Sequence, residues 1–85
     1  MADKKLVGKI SHYYDKISVA VVELTGDLKV GDMISIEGNK TNFQQKVESM
    51  QIEQNKLETA KAGDSIGMKV SEKVRDNDQV FKLTA

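Results

Sequence analysis

The chain has 85 residues, enough for one domain, and its 13 lysine and arginine residues balance 13 aspartate and glutamate residues. Zero net charge disfavours a protein that holds nucleic acid by overall charge, although one basic face remains compatible with it. The absence of cysteine excludes a disulfide framework and a thiolate metal site, and the one histidine, His12, cannot form a metal cluster by itself. The longest apolar run, residues 19–22, is too short for a membrane span or a signal-peptide core, so we expect a cytoplasmic protein.

The beginning of the chain predicts two β-strands. Residues 5–13 alternate well enough for a strand that places Leu6, Gly8 and Ile10 on one face. A turn at residues 15–16 follows, and the β-branched residues of 17–24 predict a second strand. This strand is apolar on both faces, so it is either central or covered on its outer face.

The middle of the chain predicts a hairpin and a long strand. Residues 33–36 form a short strand with Ile34 and Ile36 on one face, and the turn signal at 38–39 follows it. Residues 41–53 read as one bent or bulged strand. The alternative is a helix over 44–54, which holds many good helix formers but has a thin apolar face and no well-placed N-cap.

The last third alternates again, at residues 66–70 and 79–83, on either side of a polar loop at 75–78. Short strands with turn signals every eight to twelve residues are typical of sandwiches and barrels. Closure removes exposed sheet edges, so we predict an all-β fold, a small closed antiparallel β-barrel of six or seven strands. Residues 5–83 form this single domain, with a disordered N-terminus at 1–4 and a tail at 84–85.

A short phrase occurs twice, at residues 29–34 and 61–66, and reads Lys, a small apolar residue, Gly-Asp, any residue, Ile. Glycine reaches positive φ without a steric penalty, and aspartate can bind the backbone of a turn. The four central residues are therefore predicted to form structural turns rather than a paired-carboxylate or metal site: Gly31, Asp32, Gly63 and Asp64.

These phrases, in their order, resemble the second domain of translational GTPases such as elongation factor Tu, which is a small β-barrel. The matching segments are 7–10, 28–36, 47–51 and 60–67, so the resemblance covers about residues 6–83. The chain has no phosphate loop and no GTPase domain, and it therefore looks like a stand-alone elongation factor-like protein. It is also similar to a barrel at the C-terminus of some collagenase-like peptidases or RNA-modification enzymes.

The resemblance implies a non-catalytic binding module that contacts RNA or a ribonucleoprotein of the translation machinery, such as tRNA or the ribosome. The densest aromatic cluster could stack bases beside phosphate-binding lysines, and a basic strip could extend it. The alternative for these residues is an ordinary core tyrosine and solvated charges. The candidate RNA-binding residues are Lys9, His12, Tyr13, Tyr14, Lys16, Lys69, Lys73 and Arg75.

The competing function is a protein-interaction module that docks on an enzyme partner, such as a collagenase-like peptidase or an RNA-modifying enzyme, through the apolar outer positions of residues 19–22. No catalytic constellation stands out, so we predict no enzymatic activity, no cofactor, no nucleotide and a monomer. Residues 76–78 resemble the opening of a calcium loop but lack its later glycine and glutamate, which favours an ordinary loop.

Overall fold

The computed structural model describes residues 4–53 and 55–83, and all regular structure in them is β-strand. The all-β class is therefore confirmed, and the helix over 44–54 is wrong for the described residues. In chain order the strands are β1 (Lys4–Tyr14), β2 (Val19–Leu24), β3 (Leu28–Lys29), β4 (Met33–Glu37), β5 (Asn42–Lys46), β6 (Met50–Ile52), β7 (Asn55–Leu57), β8 (Thr59–Ala60), β9 (Ser65–Lys69) and β10 (Gln79–Leu83).

Eight strands form one antiparallel sheet in the order β5-β4-β10-β1-β2-β9-β6-β7, and β3 pairs with β8 in a separate two-stranded sheet. Strand pairing among the described residues leaves the large sheet open, with β5 and β7 as its edges. The predicted closed barrel of six or seven strands is not formed by this pairing. The long strand predicted over 41–53 is interrupted at 47–49, so β5 pairs with β4 whereas β6 pairs with β7 and β9.

The side chain of Gln45 links the edge strand β5 to β9, which lies in the other half of the sheet. The Gln45 amide nitrogen donates to the carbonyl of Lys69 at 3.0 Å, and its carbonyl oxygen accepts from the backbone amide of Ser71 at 2.8 Å. The Ser71 hydroxyl also donates to that oxygen at 3.1 Å. The Gln45 side chain therefore connects β5 to the end of β9 and to the segment that follows it.

A bulge changes the predicted faces of β1. The register with β10 shifts between Leu6 and Gly8, so Leu6 is 44% exposed while Val7 and Ile10 are buried. The prediction that Leu6 shares a face with Gly8 and Ile10 is wrong, because the extra residue reverses the alternation at that point. Gly8 lies close to β2, where an added Cβ would come within 2.7 Å of Cγ1 of Val22.

Three four-residue turns among the described residues share one backbone geometry, at 29–32, 61–64 and 75–78. In each turn the fourth residue is aspartate, and its amide donates to the carbonyl of the first residue, at 3.1, 3.0 and 3.1 Å in chain order. Its carboxylate accepts from the amide of the first residue at 3.0, 3.1 and 2.8 Å. The third residue has positive φ: 100° at Gly31, 96° at Gly63 and 72° at Asn77.

Each of these turns, which we call corners, is fastened to a buried strand or loop residue by a reciprocal pair of backbone hydrogen bonds. The backbone amide of the third corner residue donates to the carbonyl of this partner residue. The partner's amide donates in turn to the backbone carbonyl of the corner aspartate. The partners of the first, second and third corners are Val47, Leu24 and Ile10, with all six distances between 2.8 and 2.9 Å. The corners therefore supply backbone hydrogen-bond partners to three buried core residues.

The core is one apolar cluster between the strands. Its buried members are Val7, Ile10, Ala20, Val22, Leu24, Leu28, Ile34, Ile36, Val47, Met50, Ala60, Ile66, Met68, Val70, Val74 and Val80. The expected placement of Ile34 and Ile36 on one buried face is confirmed. Lys4, which we expected to be disordered, is the first residue of β1. The predictions for 1–3 and 84–85 lie outside the described residues.

Candidate functional surfaces

The predicted aromatic cluster is divided between the two faces of β1. The rings of His12 and Tyr14 meet edge to face, with centroids 4.3 Å apart, and both side chains are exposed. Tyr13 points to the opposite face, where it is half-buried and packs against the core. Lys9 is exposed on the same strand, and Lys16 lies in the turn that follows it.

The predicted basic strip is also divided. Val19 of β2 pairs with Tyr14 on one side and with Lys69 of β9 on the other, so these three residues form a row across three strands. Lys73 and Arg75 lie in the connection between β9 and β10, and the amide of Arg75 is bound by the third corner. Lys69 therefore lies near the exposed tyrosine, whereas Arg75 begins a structural turn.

A cleft of about 640 Å³ opens beside the small sheet of β3 and β8. Three lysines and two aspartates line it together with apolar and hydroxyl side chains: Asp27, Leu28, Lys29, Thr59, Ala60, Lys61, Asp64 and Lys82. The ammonium of Lys82 lies 3.4 Å from the carboxylate of Asp32. The cleft is thus of mixed charge, and the carboxylates of Asp32 and Asp64 are engaged by their own corners. Among the described residues, no three His, Cys, Asp or Glu side chains converge to hold a metal ion.

An apolar surface on the outside of β1, β10 and β4 is a feature that sequence reasoning missed. We call it the outer patch, and its members are Leu6, Met33, Phe81 and Leu83. Leu6 and Met33 are 44% and 43% exposed, and the other two are half-buried. Phe81 pairs with Leu6 on one side and with Ser35 on the other. Because side chains two residues apart share a face of a strand, Met33 and Leu83 face the same way as Ser35 and Phe81.

A charged clamp crosses the outer patch above Phe81. The ammonium of Lys4 donates to both carboxylate oxygens of Glu37, at 2.7 and 2.9 Å, and lies 4.7 Å from the centre of the Phe81 ring. The hydroxyl of Ser35, which is almost fully buried, donates to Glu37 at 2.7 Å. These bonds, the one from Lys4 first, lower the pKa of the Glu37 carboxyl below its ordinary value. The clamp joins β1 to β4 across β10.

A second apolar surface lies at the other end of β1. Ile17 is 59% exposed and Tyr14 is 50% exposed, while Val19 and Val21 are half-buried on the outer face of β2. Ala20 and Val22 belong to the core. The apolar outer positions predicted within residues 19–22 are therefore Val19 and Val21. The described residues contain no helix that is long and apolar enough to cross a membrane.

The chain is similar in sequence to parts of known proteases. The chain is 42% identical over 78 residues to an uncharacterized protease of Methanocaldococcus jannaschii, a match that covers 91% of this chain and 19% of the protease. It is 38% identical over 82 residues to a collagenase of Porphyromonas gingivalis, covering 94% of this chain and 23% of the collagenase. The chain thus spans about a fifth of the length of the curated relatives it matches. No protein-family model matches it.

The fold is similar to that of the C-terminal domain of a protein described as a U32 peptidase from Geobacillus thermoleovorans. One crystal structure of this domain matches with a TM-score of 0.87 at 22% identity, covering 92% of this chain and 91% of the domain. A selenomethionine variant matches with a TM-score of 0.85, also at 22% identity, covering 89% of this chain and 96% of the domain. The predicted absence of catalysis agrees with similarity to a C-terminal domain rather than to a whole peptidase.

These similarities correct the functional prediction. The relatives are proteases and collagenases, and the structural matches are peptidase domains, so the assignment to elongation factors and protein biosynthesis is wrong. The comparisons give no support to tRNA or the ribosome as partners. The similarity to a C-terminal domain of collagenase-like peptidases is the part of the prediction that these findings bear out: the chain has the fold of the C-terminal domain of a U32 peptidase.

Proposed function

We propose that this chain is a non-catalytic interaction module that docks on a collagenase-like peptidase of the U32 type. One observation carries the proposal. More than nine tenths of the chain matches its curated relatives, yet it spans only about a fifth of each of them. Because a similar sequence occurs as one part of larger peptidases, we expect this chain to act beside the other parts of such a protein.

The chemistry of the described surface agrees with a protein partner. Two apolar surfaces are exposed on the outside of the sheet, one around Leu6 and Met33 and one around Tyr14 and Ile17. Scattered exposed apolar residues are normal, but contiguous apolar patches with a polar rim are typical of interaction sites. The absence of cysteine is consistent with a cytoplasmic location, where disulfides are rare.

Affinity purification from cell extract tests the proposal. The tagged chain is expected to recover a stoichiometric protein whose sequence, by mass spectrometry, is that of a U32-type peptidase. An excess of untagged chain added to the extract serves as the control and is expected to displace it. Recovery of nucleic acid alone, or of proteins unrelated to such peptidases, would reject the proposal.

A further inference from the structure

We propose that Met33 is a site of reversible oxidation, at which a peroxide converts the thioether to a sulfoxide, makes the outer patch more polar and leaves the fold intact. The modified atom is the Sδ of Met33, and the oxidant is hydrogen peroxide or an organic peroxide. The residue is the first of β4 and comes directly after the corner at 29–32.

Exposure distinguishes Met33 from the other methionines that the structure describes. Met33 is 43% exposed, whereas Met50 is 1% exposed and Met68 is 0% exposed. Met50 and Met68 pair with each other across β6 and β9, and both belong to the core. A peroxide must reach the sulfur to oxidise it, so a buried methionine reacts only when the fold opens. Burial therefore protects the core pair and leaves Met33 open to the oxidant.

The reaction needs no reagent beyond the peroxide. A lone pair of the thioether sulfur attacks one peroxide oxygen, the O–O bond breaks, and an S–O bond forms. With hydrogen peroxide, the leaving hydroxide takes the proton of the transferred OH group and departs as water. The sulfur is oxidised and the peroxide is reduced, and the product is methionine sulfoxide.

The position of Met33 in the sheet allows it to carry a sulfoxide without loss of the core. Its backbone pairs with Lys46 of β5, and the next residue, Ile34, is the one that enters the core. A sulfoxide is polar, and its burial without a hydrogen-bond partner would be costly. On Met33 the added oxygen remains in water. The same exposure admits the reductases that return sulfoxide to thioether, one enzyme for each epimer.

Oxidation changes the outer patch because Met33 is one of its two most exposed members. Leu6 and Met33 are 44% and 43% exposed, and Phe81 and Leu83 are half-buried. An oxygen on Met33 places a polar group within this apolar surface. The outer patch therefore has two states that differ in polarity and share one fold.

Timed oxidation of the folded chain by hydrogen peroxide, followed by tryptic mass spectrometry, tests the site. Each described methionine lies on its own tryptic peptide, at 30–40, 47–56 or 62–69, so one sample gives all three rates. We expect sulfoxide to form at Met33 at least about tenfold faster than at Met50 or Met68, because the buried pair reacts only from the opened state. In urea that unfolds the chain, the three rates should agree within about threefold, because burial no longer separates them.

The matched control is Met33→Leu, which keeps a similar volume and removes the oxidisable sulfur. On a hydrophobic interaction column, we expect the peroxide-treated wild-type chain to elute earlier than the untreated chain, whereas treatment leaves the elution of Met33→Leu unchanged. The urea midpoint of both proteins should be the same before and after treatment. Incubation of the oxidised chain with both methionine sulfoxide reductases and a thiol reductant should restore the original elution.

Four results would overturn the proposal. Oxidation of Met50 or Met68 as fast as Met33 in the folded chain would reject the selectivity. Unchanged elution after complete oxidation of Met33 would reject the change in polarity of the outer patch. A lowered urea midpoint of the singly oxidised chain would mean that the sulfoxide damages the fold, and a sulfoxide that persists with both reductases would reject reversibility.

Discussion

Replacing Gly31 or Gly63 by alanine is expected to destabilise the fold by about 1–2 kcal/mol, and by valine by up to about 3 kcal/mol. Both glycines have φ near +100°, a region that residues with a Cβ rarely adopt. An added Cβ at either position would meet no other atom within 4 Å, so the loss arises from the backbone conformation rather than from a clash. The alanine variants at Gly31 and Gly63 should therefore lose similar amounts of unfolding free energy.

The third corner supplies the matched comparison. Asn77 occupies the equivalent position with φ of 72°, and asparagine tolerates this region better than most residues. We expect Asn77→Gly to change the free energy of unfolding by less than about 0.5 kcal/mol, whereas Asn77→Ala loses about 1 kcal/mol. Gly31→Asn should likewise lose less than Gly31→Ala.

Urea titration followed by far-ultraviolet circular dichroism measures these differences, and calorimetry should show Tm falling by about 4–8 °C per kcal/mol in a domain of this size. The reasoning is refuted if both glycine-to-alanine variants unfold within about 0.3 kcal/mol of wild type. It is equally refuted if Asn77→Gly and Asn77→Ala lose the same stability, because glycine relieves backbone strain and alanine does not.

Three further changes probe single contacts. The lowered pKa of Glu37 means that its clamp contributes stability above the ordinary glutamate pKa of about 4.3 and loses it as pH falls through the folded-state value. Thermal melts between pH 7 and pH 3 should therefore show a smaller acid-induced decrease in Tm for Glu37→Gln than for wild type. Gln45→Ala removes the acceptor of the Ser71 amide and should cost about 1 kcal/mol in urea unfolding. Gly38→Ala should destabilise the chain by about 1–3 kcal/mol, because its Cβ would overlap the carboxylate of Asp78, as a urea titration can measure.

Each of these changes has a control and a contradicting result. Gln44 is exposed and adjacent to Gln45, so Gln44→Ala should leave the free energy of unfolding unchanged. An equal loss of stability in Gln44→Ala and Gln45→Ala would mean that the hydrogen bonds of Gln45 are not its cause. Parallel pH profiles for Glu37→Gln and wild type would contradict the role of the clamp. Wild-type stability in Gly38→Ala would mean that the corner carboxylate can move without cost.

The local pattern was sufficient for five of the ten described strands and for two corners. Alternation identified β1, β4, β9 and β10 within one or two residues, and Gly-Asp marked the turns at 29–32 and 61–64. The third corner carried the same signal in a weaker form, since Arg75-Asp76-Asn77-Asp78 replaces the glycine with asparagine. The pattern that suggested a translation factor therefore described backbone corners, and a fold of this kind can serve unrelated functions.

The sequence by itself determined the all-β class and the two Gly-Asp turns, because these depend on period-two alternation and on residues that tolerate positive φ. Only the tertiary structure decided which apolar residues face outward. The bulge between Leu6 and Gly8 reverses the face of the first residues of β1, and Phe81 and Met33 join Leu6 through strands far away in the chain. The outer patch is created by long-range pairing, which no local pattern contains.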